Sequence, residues 1–186
     1  MKKQPLMELA NLFTKIKASA SDGAEIDFQK AVSQIVKRVS LQRKKNNKAM
    51  IIGNGGSASI ASHIATDFLK NLKMAALVFN DASLLTCLSN DLGYENVFST
   101  PIGTLAKKGD ILFAISSSGK SKNILNAVTQ AKKKGCFVVT FSGFSGLNPL
   151  RKMGDLNFYV PSSFYGDVEI SHLAICHAVV DTLYNK

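Results

Sequence analysis

The spacing of apolar residues changes character near residue 48. Before that point only helical spacing is visible: Leu6, Leu9, Phe13 and Ile16 recur at intervals of three and four, and Phe28, Val32, Ile35 and Val39 do the same. Two leading helices are predicted, broken at Ser21, Asp22 and Gly23, with Asp22 placed to cap the second and Glu25 three residues on. From Ala49 onward, short apolar runs at 49–52, 75–79, 111–115, 137–141 and 156–160 alternate with helical patterns at 57–69, 121–133 and 168–183. That alternation predicts an α/β domain whose parallel sheet is covered on both faces. In such sheets ligands sit beyond the carboxy ends of the strands. The helical stripes of residues 1–48 need a surface to cover them, either the sheet core of 49–186 or another subunit.

Composition narrows the class. With 186 residues the chain is sized for one domain, and 46% hydrophobic against 19% charged residues excludes wholesale disorder. The longest apolar run, 74–79, is far short of the ~20 residues that cross a bilayer. Lys2 and Lys3 are followed by Gln4, Pro5 and Glu8 and not by an apolar stretch, so no export signal is expected. Cys87, Cys136 and Cys176 are odd in number and far apart, which fits buried thiols in a reducing cytoplasm. A cytoplasmic protein with no membrane partner is the expectation.

The formal charge of +10 raises nucleic acid as a ligand. Its main runs, six basic residues between Lys37 and Lys48 and three at 132–134, fall at the ends of predicted helices, where cations complement the dipole. No aromatic residues interleave with them, so nucleic acid is not the expected partner.

Two loops after predicted strands can hold an anion. Gly53-Asn54-Gly55-Gly56-Ser57-Ala58 opens a helix, and its glycines let a ligand approach unpaired amides at the positive end of the helix dipole. Read as GxGxxA, with Asp81 as the acidic residue after the next strand, it also fits a relaxed dinucleotide fingerprint and so a dehydrogenase. Ser116-Ser117-Ser118-Gly119-Lys120-Ser121 offers four hydroxyls before the next helix. A nucleotide P-loop is excluded there, because Ala114 stands where that motif needs glycine. Two such loops in one sheet favour a phosphorylated small molecule and no nucleotide cofactor.

Side chains able to move protons or hold a metal lie on two helices. His63 and Asp67, four apart, share a face beyond the glycine loop. Glu169, His172 and His177 share the last helix, but at about 100° per residue the two histidines diverge by about 140°, so one site cannot easily use both. Spacing alone does not choose between them.

Taken together, Gly53-Asn54-Gly55-Gly56-Ser57, His63 with Asp67, Ser116 to Ser121, and Glu169 with His177 resemble the sugar isomerase (SIS) domain, in its phosphoheptose isomerase branch. The resemblance runs from about Ile51 to the carboxy terminus. It implies a three-layer αβα sandwich around a five-stranded parallel sheet, preceded by helices, in a homotetramer with shared active sites. It also implies isomerisation of sedoheptulose 7-phosphate to a mannoheptose 7-phosphate for surface polysaccharide. By position Ser57, Ser116, Ser118 and Ser121 match the phosphate ligands, beside Gly55, Gly56 and Ser117, with Asn54 and Asp91 near the sugar. Asp67 and His177 match the acid-base pair, and His63, Asp67, Glu169 and His177 match the zinc ligands of some members. Two positions depart from the better-known pattern: Asp67 replaces Glu, and Glu169 replaces Gln. The first withdraws a carboxylate by about 1.5 Å, enough to weaken catalysis unless compensated. The second adds a negative ligand that favours a cation. A noncatalytic sensor or initiator-associating adaptor on the same fold is the alternative that keeps the phosphate loops without turnover.

Overall fold

The computed structural model describes residues 5–184; Lys2, Lys3 and Gln4 of the export reading lie outside them. Its elements run α1 (Pro5–Phe13), β1 (Lys17–Ala20), β2 (Glu25–Ile26), α2 (Phe28–Lys44), β3 (Ala49–Ile52), α3 (Gly56–Lys70), β4 (Ala76–Leu77), α4 (Ala82–Leu92), α5 (Ser99–Leu105), β5 (Ile111–Ser116), α6 (Lys122–Lys133), β6 (Phe137–Ser142), β7 (Leu156–Tyr159) and α7 (Tyr165–Tyr184).

The strands form one sheet in the order β2-β1-β7-β6-β5-β3-β4. The expected five-stranded parallel sheet is present as β7-β6-β5-β3-β4. The sheet nevertheless has seven strands, because β1 and β2 extend it antiparallel at the β7 edge. The break read between two helices is therefore a hairpin turn. Asp22 does not cap α2; its carboxylate accepts from the Ala24 amide, 2.9 Å away, inside the turn. Asp27 caps α2 instead, accepting from the Lys30 amide at 2.9 Å. The reason is geometric: Ala18 and Ser19 bury themselves against β7 as an added strand, covering an edge that would otherwise present unpaired amides.

Strands β3 and β5 are buried at every position, as strands covered on both faces require. On one face α2, α3 and α7 contribute Val32, Ile35, Ile64, Phe68, Val179 and Val180 to the core. On the other, α5 and α6 contribute Ile102, Ile124 and Val128, with Phe98 just before α5. Phe113, Phe141 and Phe158 stack across β5, β6 and β7 with centroids 6.1 and 5.5 Å apart, and Phe68 closes the row edge-on. Of the three cysteines, Cys136 and Cys176 are buried as expected, with burial pushing their thiols up to about 11 and about 12. Cys87, on α4, is exposed, contrary to expectation. Helix α4 has no fully buried residue, so its thiol has no core to enter.

Candidate active site

β3 and β5 are parallel neighbours with Ile52 opposite Ala114, so the glycine loop and the serine loop leave the sheet side by side. Gly53 is needed because a Cβ there would lie 2.5 Å from the Ser57 carbonyl. Neither α3 nor α6 has a side-chain hydrogen bond at its amino cap, which leaves both helix starts open toward the space between the loops. That space is a cleft of about 110 Å³ lined by Asn54, Ser57, Ser116 to Ser118, Ser121, Tyr165 and Glu169. Pockets that enclose whole small molecules run to ~300 Å³ and above. This one is sized for an anionic head group.

Its hydroxyls are arranged to donate. The Oγ atoms of Ser116 and Ser121 are 3.3 Å apart, Ser118 Oγ accepts from the Lys120 amide at 3.2 Å, and the buried Ser117 Oγ has no partner among the described residues. Asn54 is fixed by a reciprocal amide pair with Asn123, at 3.1 and 2.9 Å, and by the Tyr94 hydroxyl, which donates to it at 2.9 Å. The sequence reading missed Asn123, Tyr94 and Tyr165. Asn123 carried one signal, a polar residue within the first turn of a helix that is otherwise apolar on that side; the tyrosines carried none. Asp91, expected near the sugar, is exposed on α4, beside Cys87 and Asn90 and outside the cleft lining.

Glu169 lies against the glycine loop. A Cβ on Gly56 would overlap its carboxylate, whose carboxyl carbon would be only 2.6 Å away. A negative side chain thus occupies the amino end of α3, where a dinucleotide pyrophosphate would rest. Asp81, the acidic residue of the dehydrogenase reading, is spent capping α4 through the Leu84 amide at 3.0 Å.

Further along the same two helices, α3 and α7 bring three predicted residues together. His63 Nε2 and His177 Nε2 are 3.2 Å apart, Asp67 Oδ2 is 3.6 Å from His63 Nε2, and it is 3.8 Å from His177 Nδ1. Donor atoms of these three lie within 4.8 Å of one another. Ligands about 2.0–2.1 Å from a tetrahedral zinc stand roughly 3.3 Å apart; the two histidine Nε2 atoms match that spacing, whereas Asp67 faces the other ring nitrogen of His177 and must close on the pair to complete such a site. Glu169, the fourth expected ligand, is not in this cluster. His172 is the histidine the fold sets aside: it is fully buried, edge-on to Phe141, and Nε2 donates to the Ser142 carbonyl at 3.2 Å. Burial lowers its pKa to about 4, the hydrogen bond offsetting part of that effect.

Known proteins match most of the chain. The SIS domain family matches residues 10–143. A phosphoheptose isomerase of Burkholderia pseudomallei is 40% identical over 141 residues, covering 73% of this chain and 71% of that protein. The chain belongs to the SIS domain family, in its phosphoheptose isomerase branch. The solved phosphoheptose isomerase of Neisseria gonorrhoeae superposes with a TM-score of 0.84 at 26% identity, covering 98% of this chain and 96% of that one. That of Francisella tularensis gives 0.78 at 28% identity, covering 84% and 86%. The first of these likenesses includes the amino-terminal helix and hairpin, so the added strands of this SIS domain lie within the matched fold.

Proposed function

We infer that the protein is an aldose-ketose isomerase of a seven-carbon sugar phosphate, interconverting sedoheptulose 7-phosphate and D-glycero-D-manno-heptose 7-phosphate for surface polysaccharide. One observation supports a sugar phosphate of about this length. The serine cleft and the His63, Asp67 and His177 cluster are held by the same pair of helices, separated by six residues on α3 (Ser57 to His63) and eight on α7 (Glu169 to His177). At ~1.5 Å rise per residue those offsets are about 9 and 12 Å. An extended heptose 7-phosphate has eight bonds from phosphorus to its first carbon, about 9 to 10 Å at the roughly 1.2 Å per bond of an extended chain. A phosphate held in the cleft would leave the carbonyl end of such a sugar within reach of the cluster.

There, Asp67 and His177 are the acid-base pair. One removes the proton from the carbon next to the carbonyl, the oxygens exchange a proton through the enediol, and the proton is returned to the neighbouring carbon. Asp67 is oriented by Asn71 Nδ2, 3.3 Å away. A zinc ion bound by His63, Asp67 and His177 would supply Lewis acidity at the substrate carbonyl. Glu169 joins such a site only by leaving Gly56. The cleft is too small for the sugar; Tyr165, which lines it, is 63% exposed, and Phe164 and Ile170, close to it in sequence, are also at least half exposed. Those exposed apolar side chains are a surface that the subunits of a homotetramer would cover, and two buried free thiols support a cytoplasmic setting.

The test is turnover of sedoheptulose 7-phosphate in deuterated water, with and without chelator. Deuterium incorporated at the carbon that receives the proton would report exchange of the abstracted proton with solvent, and unchanged turnover in Asp67→Asn or His177→Ala would reject the acid-base pair. Binding of the sugar phosphate without any turnover would leave the sensor reading in its place.

A further inference from the structure

The basic residues that look like separate runs in the sequence meet in the fold. Every helix that precedes a parallel strand ends at one edge of the sheet, opposite the cleft. Arg43, Lys44 and Lys45 close α2, and Lys48 leads into β3. Lys70 ends α3 and Lys73 follows it; Lys107 and Lys108 precede β5; Lys132, Lys133 and Lys134 close α6. These eleven are nearly half of the 23 basic residues. Contacts join the loops into one face: Arg43 donates to the Leu72 carbonyl at 2.9 Å, Lys107 to the Asn46 carbonyl at 3.4 Å, and the Lys108 side chain lies beside Gly135. The acids at this edge are Asp22, Asp110, Asp155 and Asp181. Asp110 is buried and paired with Lys48 at 2.6 Å, and Asp155 accepts from the Val138 amide at 2.7 Å. Dipole compensation accounts for only part of the face. α5 has no basic residue in its last turn, yet Lys107 and Lys108 stand exposed just beyond it.

We propose that this face docks the protein on the surface of an anionic phospholipid bilayer. Three features select a bilayer among polyanions. Ten of the eleven cations are lysines, point charges suited to a diffuse layer of head groups and not to the bidentate phosphate contacts that favour arginine. The face is made mainly of short loops, and the one exposed aromatic residue near it among the described residues, Tyr184 at the end of α7, stands alone and offers no row of rings for successive bases. Leu41, Leu69 and Leu105, in the last turns of α2, α3 and α5, are 45%, 53% and 47% exposed at its rim, where aliphatic groups can enter the acyl boundary. A second copy of the chain is disfavoured, since two faces of one sign repel. No described helix is long and apolar enough to cross a membrane, so the attachment is peripheral. Docked this way, the substrate cleft opens away from the bilayer.

Co-sedimentation of the full chain with vesicles tests the proposal. Binding is expected to phosphatidylcholine vesicles containing about 30% phosphatidylglycerol, to disappear with phosphatidylcholine alone, and to fall steeply between about 0.05 and 0.5 M salt. Lys107→Gln with Lys108→Gln should weaken the partition roughly 25-fold, while isomerase turnover and melting temperature stay unchanged. Leu41→Ser with Leu105→Ser should weaken vesicle binding and leave any residual binding of duplex DNA unaltered. Absence of vesicle binding at low salt, binding unaffected by the lysine substitutions, or tighter capture of duplex DNA than of anionic vesicles at equal salt would each overturn it.

Discussion

His63 Nε2 and His177 Nε2 lie 3.2 Å apart although 114 residues separate them, one on α3 and the other on α7. Two ring nitrogens this close can share one proton or present two lone pairs to a cation; they cannot both carry a proton on that edge. Asp67 closes the third side of the cluster from within α3.

His177→Ala should lower isomerase kcat by about 10²- to 10⁴-fold through loss of an acid-base partner, and His63→Ala should lower it through loss of a cation ligand. Both side chains are substantially exposed, 54% and 36%, so the melting temperature should hardly move, with a stability change within about 0.5 kcal/mol. Zinc binding followed by calorimetry should weaken in both variants by more than the ~10- to 100-fold that loss of a supporting contact causes. A variant that retains full turnover would remove that histidine from the chemistry.

Glu169 places a negative charge in the cleft that the serines and helix starts prepare for a phosphate. Glu169→Gln should therefore improve binding of both sugar phosphate and inorganic phosphate. The gain is roughly three- to tenfold for charges about 5 Å apart in a solvent-open cleft. It is read as a lower KM and a lower inhibition constant for phosphate. Loss of turnover with phosphate affinity unchanged would instead assign Glu169 to the cation site.

The Asn54 and Asn123 amides satisfy each other across the two loops. Asn123→Ala strands the Asn54 amide beside a buried position, and should cost about 1 to 3 kcal/mol of stability and at least tenfold in kcat/KM. Tyr94→Phe removes only one donor to Asn54, and should cost about 0.5 to 1.5 kcal/mol. Urea unfolding and steady-state kinetics on the two variants give the ranking; an equal effect of both would mean that the pair does not organise the loop.

Much of this arrangement was legible in the chain. The five parallel strands showed as short, largely apolar runs, broken only by Thr140 in β6 and Asn157 in β7, and the glycine and serine loops that follow β3 and β5 carried the phosphate chemistry in residue type and order. The hairpin was not, because β1 and β2 offer only four and two residues, and the Leu-rich spacing around them suits a helix equally well. Helices α4 and α5 were also missed, although Leu84, Leu85, Leu88 and Leu92 recur at helical spacing on α4 and the first three pack partly buried against the core. Asp67 with His63 could be paired from spacing, whereas His172 and His177 could not be told apart, since the answer depends on which side of α7 meets β6. The same limit applies to charge. Eleven cations on four stretches of sequence become one face only once the helices are seen to end on a common edge.

His172 should set part of the acid stability of the protein. Its ordinary pKa of 6.5 falls to about 4 in the fold because burial disfavours the imidazolium. Between those values the unfolded chain binds a proton that the folded chain does not, so stability rises with pH across this window and is lost as pH falls from 6.5 toward 4. A shift of that size corresponds to roughly 3 kcal/mol. Urea unfolding of the natural protein at pH 7 and pH 4.5 should show most of that loss. In His172→Phe the bond to the Ser142 carbonyl disappears, costing about 1 to 3 kcal/mol at pH 7, but this part of the pH dependence should flatten. Isomerase turnover at pH 7 should survive in the variant, since His172 is walled off from the cleft and from the His63 and His177 cluster by its own burial. An acid limb identical in the two proteins would show that another group controls it.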